Sequence, residues 1–437
     1  MLQTSASANA NYPCPFCTAP GLDVNGAGFA EEHTLRSAAH ANEQSPHYGY
    51  EARADTLGYR VDGVDPFSLV APDRLHVFDL GMARHLFADW AYVNLEDPQM
   101  RMLAQEDLNG FFSQFSERVI IDEAQHVPLL LSKIQVLVDE RGQRPGQFIL
   151  TESQEVRSQS LAGRVAIVTV MPLSLAELAH AGHPPLQRDE QLVRGFMPRL
   201  YAEPALDTAE YWAGYVATYV QKDIKVIASV QDEGKFYRFL TLLAGRVGSL
   251  LNYTSLANDL GVAQKTVQRW VSLLVSSHIV FLLPAWTPSR TSAIVKTPKL
   301  YFCDPGLASY LLRIEGAQQM VRNPLRGNLF EQMVVAEAMK TVLNAYRRPD
   351  LSFFRNSAGL EVALLASRQR QLTGYEVKSG ESFSKDQLSN LMEFEKRYRE
   401  YLDPSRRGGL IYAGEGEHIF LEHTVTPYQG SGALFEP

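Results

Sequence analysis

Residues 119–154 read VIIDEAQHVPLLLSKIQVLVDERGQRPGQFILTESQ, and this stretch decides the fold class. Short runs rich in β-branched residues lie at its two ends, RVIID at 118–122 and QFILT at 147–151, and each is typical of a buried strand. Between them, residues 128–140 place apolar side chains at helical spacing behind a proline, which the first turn of a helix tolerates. This alternation of strand, helix and strand predicts a parallel sheet with helices on its faces.

The pattern changes several times along the rest of the chain. Two more β-branched runs, YVNL at 92–95 and RVAIVTV at 164–170, predict further strands of the same sheet. Residues 208–283 have a helical pattern until HIVFLL, which predicts a separate helical module. From Arg326 a long helix-like run precedes three strand-like runs, and this order predicts a third, α/β domain. We therefore expect a poorly ordered or foreign N-terminal segment at 1–82, an α/β core at 83–205, a helical module at 206–318 and an α/β domain at 319–437.

The composition is that of an ordinary globular chain. Its 437 residues suffice for about three domains, and 45% hydrophobic with 21% charged residues excludes a fibrous or wholly disordered protein. A net charge of -8 excludes a chain that binds polyanions over its whole surface, although it is compatible with a local basic surface. Three cysteines cannot form a disulfide framework and fit a reducing compartment. Because we find no secretory signal and no apolar run of the roughly 20 residues that a membrane helix needs, we expect a cytoplasmic protein without a membrane partner.

Two acids, Asp122 and Glu123, directly follow the predicted strand VII at 119–121. In open α/β sheets the carboxyl ends of the strands face the ligand crevice, and acids there cost desolvation free energy unless they face a cation or water. The pattern therefore indicates a cation-handling site. A strand that ends in a solvated turn is the alternative that this pair alone leaves open.

Longer stretches of the chain resemble one family. VIIDEAQ at 119–125, LTESQ at 150–154, SLAGR at 160–164 and PLSLAEL at 172–178 are similar to the motifs IIDEiQ, LTGSQ, SLAGR and PLSLxEL of prokaryotic predicted AAA-type ATPases. The resemblance extends from roughly Ala83 into the last domain. It implies an α/β fold with an incomplete P-loop (AAA-type) parallel sheet core, a helical winged-helix module and a C-terminal domain similar to PD-(D/E)xK restriction nucleases.

The resemblance also implies roles for residues of the core. Asp122 would hold the Mg²⁺ of a bound ATP, and Glu123 would orient the attacking water. The LTESQ strand would lie beside them as the sensor strand, with the sensor-like residues Glu152, Ser153 and Gln154. Arg164 in SLAGR would bring a positive charge near the nucleotide or the sheet edge, and an ordinary solvated arginine is the alternative.

The phosphate-binding loop of such ATPases is missing from this sequence. A GxxxxGK[ST] loop supplies backbone N–H groups and a lysine to the phosphates, but the chain contains no GK[ST]. Gly81-Met82 stands where Gly-Lys-Thr is expected, directly before ARHLFADW at 83–90. The glycine of LTGSQ is Glu152 here, which brings an acid close to the position of the anionic phosphates. We therefore expect weak nucleotide binding at most and negligible ATP hydrolysis.

The N-terminal segment contains a short cysteine motif, Cys14-Pro-Phe-Cys17. It is half of a zinc site, and three nearby histidines would have to complete it, but they show no standard spacing. We expect two free thiols rather than a zinc ion at Cys14 and Cys17.

Residues 252–274 have a helix-turn-helix pattern, with a turn at Gly261. Gln264, Lys265, Gln268 and Arg269 fall on the face of the second helix that would meet DNA phosphates and base edges. Residues 235–300 carry eight basic side chains against one acid, Asp259, in an otherwise acidic chain. We expect DNA contact here, with a plain domain connector as the alternative.

In the last domain, the nuclease-like motif is incomplete. Glu331 in GNLFE, and Glu376 and Lys378 in EVKSG, match a pattern in which acids hold a divalent cation and a lysine assists the nucleophile. Ala363 stands where the family has its central acid, and Glu361 is not expected to substitute for it. We predict a structural remnant without cleavage activity.

Together these observations predict an AAA-type ATP-binding protein that is associated with DNA and degenerate in ATP hydrolysis. The alternative is a DNA- or protein-binding regulator without catalytic activity.

Overall fold

The computed structural model of the chain describes residues 2–4, 83–84, 87–115, 118–141, 146–151, 166–219, 233–288 and 295–436. These residues fall into two compact units. The first contains the residues up to Met171 with two short later segments, and the second contains most of the chain from Pro172 onward.

A five-stranded sheet forms the centre of the first unit. Its strands are β1 (Leu2–Thr4), β2 (Ala91–Asn94), β3 (Val119–Asp122), β4 (Phe148–Thr151) and β5 (Ala166–Val168), in the order β2-β3-β4-β1-β5. Strands β2, β3 and β4 are parallel, as the alternation of strand and helix predicts. Strand β1, which no sequence pattern indicated, pairs antiparallel with both β4 and β5.

Within the described residues, the helices α1 (Pro98–Glu106), α2 (Leu108–Ser113) and α3 (Leu129–Glu140) accompany this sheet. Asp97 and Asp107 begin α1 and α2 by accepting hydrogen bonds from backbone N–H groups of the first turn, because these groups have no partner within a helix. Helix α3 buries Leu130, Leu131, Ile134 and Val138 against the apolar side chains of β3 and β4. Full burial of each such side chain contributes about 1.5–3 kcal/mol.

The second unit begins with helices and continues into a small antiparallel ribbon. The helices α4 (Leu175–His180), α5 (Arg188–Arg194), α6 (Pro198–Ala202), α7 (Thr208–Tyr219), α8 (Glu233–Ala244), α9 (Tyr253–Leu260) and α10 (Gln264–Ser276) precede the strands β6 (Val280–Leu283) and β7 (Lys299–Phe302). Strands β6 and β7 pair antiparallel, and Leu250 forms an isolated antiparallel bridge with Lys299. The helical pattern that the sequence shows up to HIVFLL is confirmed.

The remaining elements of the second unit form a six-stranded mixed sheet with helices. Helices α11 (Pro305–Leu311), α12 (Ala317–Arg322) and α13 (Arg326–Asn344) precede the strands β8 (Leu351–Arg355), β9 (Glu361–Arg368) and β10 (Gln371–Lys378); helix α14 (Lys385–Arg397) and strands β11 (Gly409–Tyr412), β12 (His418–Phe420) and β13 (His423–Pro427) follow. The strand order is β12-β13-β11-β10-β9-β8. Gly374 lets α14 approach β10, since a Cβ atom there would lie 2.6 Å from Cδ1 of Leu391.

Among the described residues, no helix combines the length and the apolar character that crossing a membrane requires.

Candidate functional site

Asp122 is the last residue of β3, and its side chain is buried at the end of the parallel strands, with 1% of the residue exposed. The hydroxyl of Tyr92, on β2, donates to Oδ2 of Asp122 at 2.9 Å, and the hydroxyl of Thr151, on β4, donates to Oδ1. The two neighbouring strands therefore each supply one hydroxyl to the same carboxylate. Buried polar groups need such partners, because an unsatisfied one costs about 1–3 kcal/mol.

Tyr92 is held in its donating form. Burial raises the pKa of Tyr92 well above its ordinary value, and the negative charge of Asp122 and the hydrogen bond to it raise it further. The guanidinium group of Arg84 lies 4.6 Å from the centre of the Tyr92 ring and acts in the opposite direction. Sequence reasoning missed both Tyr92 and Thr151 as partners of Asp122. The parallel pairing of their strands with β3 is the only signal that could have found them.

Glu123 is also buried, with 4% of the residue exposed. Its backbone adopts the left-handed conformation, with φ 56° and ψ 45°, at the point where the strand ends. The Glu123 carboxylate accepts a hydrogen bond from the side-chain amide of Gln125. A non-glycine residue in this conformation costs on the order of 1 kcal/mol, and such residues cluster at functional sites. Because both acids are buried, the alternative of an acid pair in a solvated turn is wrong for this chain.

The residues around Asp122 fit the protein side of a Mg²⁺ site. Mg²⁺ takes oxygen ligands and is usually held by one or two carboxylates together with substrate phosphates and water. The hydroxyls of Tyr92 and Thr151 each donate to one oxygen of Asp122, and a carboxylate oxygen can accept more than one contact. Among the described residues, no three acidic, histidine or cysteine side chains form a metal site by themselves.

Several predicted residues of the core lie outside the described residues. They are Arg164, the sensor-like residues Glu152, Ser153 and Gln154, the Gly81-Met82 pair and the cysteines Cys14 and Cys17. Strand β4, which ends directly before Glu152, does lie beside β3 as expected of a sensor strand. The roles of these residues, and the expectation of free thiols rather than a zinc ion at the cysteines, stay predictions.

The predicted DNA-contacting residues share one exposed face of α10. Gln264, Lys265, Gln268 and Arg269 are all exposed, whereas Val267, Trp270, Val271 and Leu274 of the same helix are buried. Gly261, with φ 64°, ends α9 and turns the chain towards α10. Helix α9, the turn at Gly261 and helix α10 thus follow one another directly, and the antiparallel ribbon β6–β7 comes after them.

The basic excess of this module is smaller on its surface than in its sequence. Arg246 forms an ion pair with Asp259. Lys299 is 3% exposed and forms ion pairs with two glutamates of the C-terminal part of the chain. Among the described basic residues of 235–300, the exposed ones are Lys235, Arg238, Lys265, Arg269 and Lys296.

Two glutamates of the nuclease-like part form a cluster with Lys299, and a third glutamate influences them electrostatically. The ammonium group of Lys299, on β7, lies 2.9 Å from Oε1 of Glu331, on α13, and 2.7 Å from Oε1 of Glu361, on β9. Glu376, on β10, lies within electrostatic range of Glu331 and Glu361. Glu361, which is not expected to substitute for the missing acid, thus contacts the same lysine as Glu331. Side chains two apart along a strand share a face, so Glu361 lies on the face of Ala363.

Glu376 and Lys378 form an ion pair at 3.1 Å, but the central acid of the motif is missing. Ala363, where that acid would be, is buried and 5% exposed. Oε1 of Glu376 has no hydrogen-bond partner among the described residues. Burial raises the pKa of Glu376 to about 7, with Lys378 opposing and the neighbouring glutamates adding to the rise. The cluster thus offers a divalent cation a ligand set that lacks one acid and already contains an ammonium group.

Comparison with known proteins gives a family match for each region. Residues 80–179 match a family model described as an AAA domain. Residues 186–318 and 326–429 match two models described as domains of unknown function, DUF8612 and DUF4143. The AAA match includes β2, β3 and β4 with Asp122 and Glu123, so this region of the chain is similar to an AAA domain.

Two relatives are uncharacterized proteins of mycobacteria. The chain is 29% identical over 341 residues to an uncharacterized protein of Mycobacterium tuberculosis, and the match covers 76% of this chain and 70% of that protein. An uncharacterized protein of Mycobacterium bovis is similar to the same extent. No solved structure matches the chain significantly.

Proposed function

We propose that this chain is an AAA-type ATP-binding protein that associates with DNA and is degenerate in ATP hydrolysis. The observation that carries the proposal is the buried carboxylate of Asp122 at the end of a parallel strand, between the hydroxyls of Tyr92 and Thr151. A buried acid at this edge of an α/β sheet is costly unless a cation or donor groups compensate it. The AAA match over the same strands supports the assignment.

Each residue of this site has a definable role. Asp122 would hold Mg²⁺, and Tyr92 and Thr151 fix the position of its carboxylate. The ion, when bound with ATP, supplies the positive charge that the phosphates require. Glu123 would orient water, and Gln125 positions the Glu123 carboxylate through its side-chain amide.

The loss of hydrolysis follows from what the sequence lacks. Phosphoryl transfer depends mainly on positioning and on electrostatic stabilisation of the transferred group. Without GK[ST], no phosphate-loop lysine stabilises the phosphates, and Glu152 adds a negative charge in the same region of the sequence motif. Both changes reduce the stabilisation of the transition state, and neither removes Asp122 or Glu123.

Steady-state ATP turnover by the full chain tests this part of the proposal. We expect turnover in the presence of Mg²⁺ to be indistinguishable from that of Glu123→Gln. Glu140→Gln, which changes an exposed glutamate at the end of α3, is the control. Turnover near that of ordinary AAA ATPases that Glu123→Gln abolishes and Glu140→Gln leaves intact would overturn the loss of hydrolysis.

The association with DNA is supported by the exposed face of α10. Lys265 and Arg269 lie one helical turn apart, with Gln264 and Gln268 beside them, so that cationic and amide side chains share one surface. Arginine, lysine and glutamine are the side chains that commonly contact phosphates and base edges. The antiparallel ribbon β6–β7 after the helix-turn-helix supports a winged-helix assignment for this module.

A gel-shift titration at several salt concentrations tests the association. We expect the full chain to bind duplex DNA at low salt, and Lys265→Ala plus Arg269→Ala to weaken binding and reduce the salt slope by about two. Lys385→Ala plus Lys396→Ala removes the same charge from the exposed side of α14 and serves as control. Equal loss of affinity in both double variants, or no binding at low salt, would contradict the assignment of this surface as the DNA-binding one.

The alternative function, a DNA- or protein-binding regulator without catalytic activity, differs in one measurable way. Only the proposed ATP-binding protein should release or absorb heat with Mg²⁺-ATP. DNA binding without any nucleotide binding would favour the alternative.

A further inference from the structure

Lys299 is the central residue of the cluster formed with Glu331, Glu361 and Glu376. Its side chain is 3% exposed, and its ammonium group contacts oxygens from two different elements, α13 and β9. The hydroxyl of Tyr301, also on β7, donates to the same Oε1 of Glu331 at 2.6 Å. The ammonium group is therefore enclosed by acceptors rather than placed in solvent.

The electrostatics of the cluster keep this lysine charged. Burial alone lowers the pKa of Lys299, but the charges of Glu331 and Glu361 and the hydrogen bonds to them outweigh it, so that the pKa is raised. Removing one partner from a buried ion pair is strongly destabilising, because the remaining charge is left uncompensated. Lys299 is the cation that Glu331 and Glu361 share, and Glu361 also forms an ion pair with Arg355 at 3.2 Å.

We infer that the ammonium group of Lys299 is the resident cation of this cluster, and that it occupies the place between Glu331 and Glu361 which a divalent cation would need. The native domain then binds no divalent metal ion there. Both carboxylate oxygens contact the same nitrogen atom, and we expect a metal ion to draw them together once the ammonium group is removed. Carboxylate and water ligands suit Mg²⁺, Ca²⁺ and Mn²⁺.

The absence of an acid at position 363 supports this inference. Ala363 cannot supply the third ligand, and within the described part of the chain Oε1 of Glu376 is left without a hydrogen-bond partner. A lysine needs only two acceptors here, whereas a divalent cation needs more oxygen ligands. The ligand set present is therefore better matched to the ammonium group.

A Mn²⁺ titration of the full chain, followed by the electron paramagnetic resonance signal of free Mn²⁺, tests the inference. We expect Lys299→Ala to bind one more Mn²⁺ per chain than the wild type, and to bind it at the cluster at least tenfold more tightly than the wild type does, because the glutamates lose their shared ammonium group and water can supply the remaining ligands. The double variant Lys299→Ala plus Glu331→Gln should lose the added site. Lys299→Arg, which keeps the positive charge, should not acquire it.

Two results would overturn the inference. One is Mn²⁺ binding by the wild type that Glu331→Gln abolishes, and this comparison does not depend on how Lys299→Ala folds. The other is a Lys299→Ala protein that gains no Mn²⁺ site. If Lys299→Ala unfolds because its glutamates repel one another, recovery of the native circular dichroism spectrum on adding Mn²⁺ supports the inference, and failure to recover counts against it.

Discussion

Asp122 illustrates how a single residue depends on strands that are distant in sequence. Its two hydroxyl partners come from Tyr92 and Thr151, which lie about thirty residues away on either side. Both reach Asp122 because β2 and β4 are the parallel neighbours of β3. Removal of either hydroxyl leaves a buried carboxylate with one partner fewer.

Thr151→Val tests this arrangement, since valine keeps the shape of threonine and lacks the hydroxyl. We expect the free energy of unfolding to fall by about 1–3 kcal/mol, because Asp122 loses a hydrogen bond in a buried position. Thr151→Ser keeps the hydroxyl and is expected to lose less. Urea denaturation measures both variants, and equal losses would show that packing rather than the hydrogen bond is responsible.

Asp304 gives a pH-dependent prediction. It accepts hydrogen bonds from the backbone N–H groups of Phe196 and Gly306, each at 2.7 Å, yet burial raises its pKa from 3.8 to about 6, with Lys340 opposing. Between these two values the folded chain holds a proton that the unfolded chain has released. The stabilisation by protonated Asp304 is therefore present at low pH and is lost as the pH rises through about 6.

Asp304→Asn removes this ionisation with little change of shape. Between pH 5 and pH 8, we expect the free energy of unfolding of the wild type to fall by about 1 kcal/mol more than that of Asp304→Asn. Thermal unfolding at the two pH values measures the difference, with the exposed Asp386→Asn as control. A wild type that gains stability relative to Asp304→Asn over this range would contradict the assignment.

At the residue scale, the sequence predicts the acids better than their partners. Asp122 and Glu123 were predictable because an apolar strand directly precedes them. Lys299 was counted only among the basic residues of 235–300, and Glu361 was not expected to substitute for the missing acid. The structure joins the two in an ion pair. Pairing across elements depends on sheet register and helix packing, which periodicity does not specify.

Among the elements, those with a strong local period were predicted well. Strands β3 and β4 and helix α3 appear where the sequence indicates them. The two strands are buried throughout and are apolar along their length, and the helix buries one face and has apolar residues at helical spacing. Strand β1 was not predicted, because its three residues are too few to show an alternation of apolar and polar side chains. Its place in the sheet depends on β4 and β5, which are far away in sequence.

The turn between α9 and α10 gives a prediction at the element scale. Gly261 has φ 64°, and a Cβ atom there would meet no atom within 4 Å. Gly261→Ala is therefore expected to cost about 1–2 kcal/mol through backbone strain alone. Gly316→Ala is the matched control, because Gly316 also has open space but an extended φ of -166°.

Urea denaturation gives the free energy of unfolding of each variant and of the wild type. We expect Gly316→Ala to change stability by less than about 0.5 kcal/mol. A similar effect of both substitutions would mean that the left-handed turn is not what Gly261 contributes.

On the scale of the whole molecule, the family matches and the compact units have different boundaries. The AAA match ends at 179, but Pro172–Ala179 belongs to the second unit. The backbone N–H of Leu175 donates to Oε1 of Glu337 at 2.8 Å, and the ammonium group of Lys340 donates to the carbonyl of Leu173 at 2.7 Å. Glu337 and Lys340 are both at most 1% exposed.

Two fragments test the importance of this segment. We expect residues 172–437 to unfold cooperatively, whereas residues 186–437 should be less stable by several kcal/mol, because two buried charged groups lose backbone partners. Thermal unfolding followed by circular dichroism compares them. Equal stability would mean that Pro172–Ala179 is dispensable to the second unit.

The most direct test of the central claim, that Asp122 and Glu123 serve Mg²⁺-ATP in a chain without a phosphate loop, is isothermal titration of the full chain with ATP in the presence and absence of Mg²⁺. The account predicts weak, Mg²⁺-dependent binding that Asp122→Asn removes and Asp139→Asn, at an exposed position of α3, leaves unchanged. No heat of binding with Mg²⁺-ATP, or heat that Asp122→Asn leaves unaltered, would contradict it.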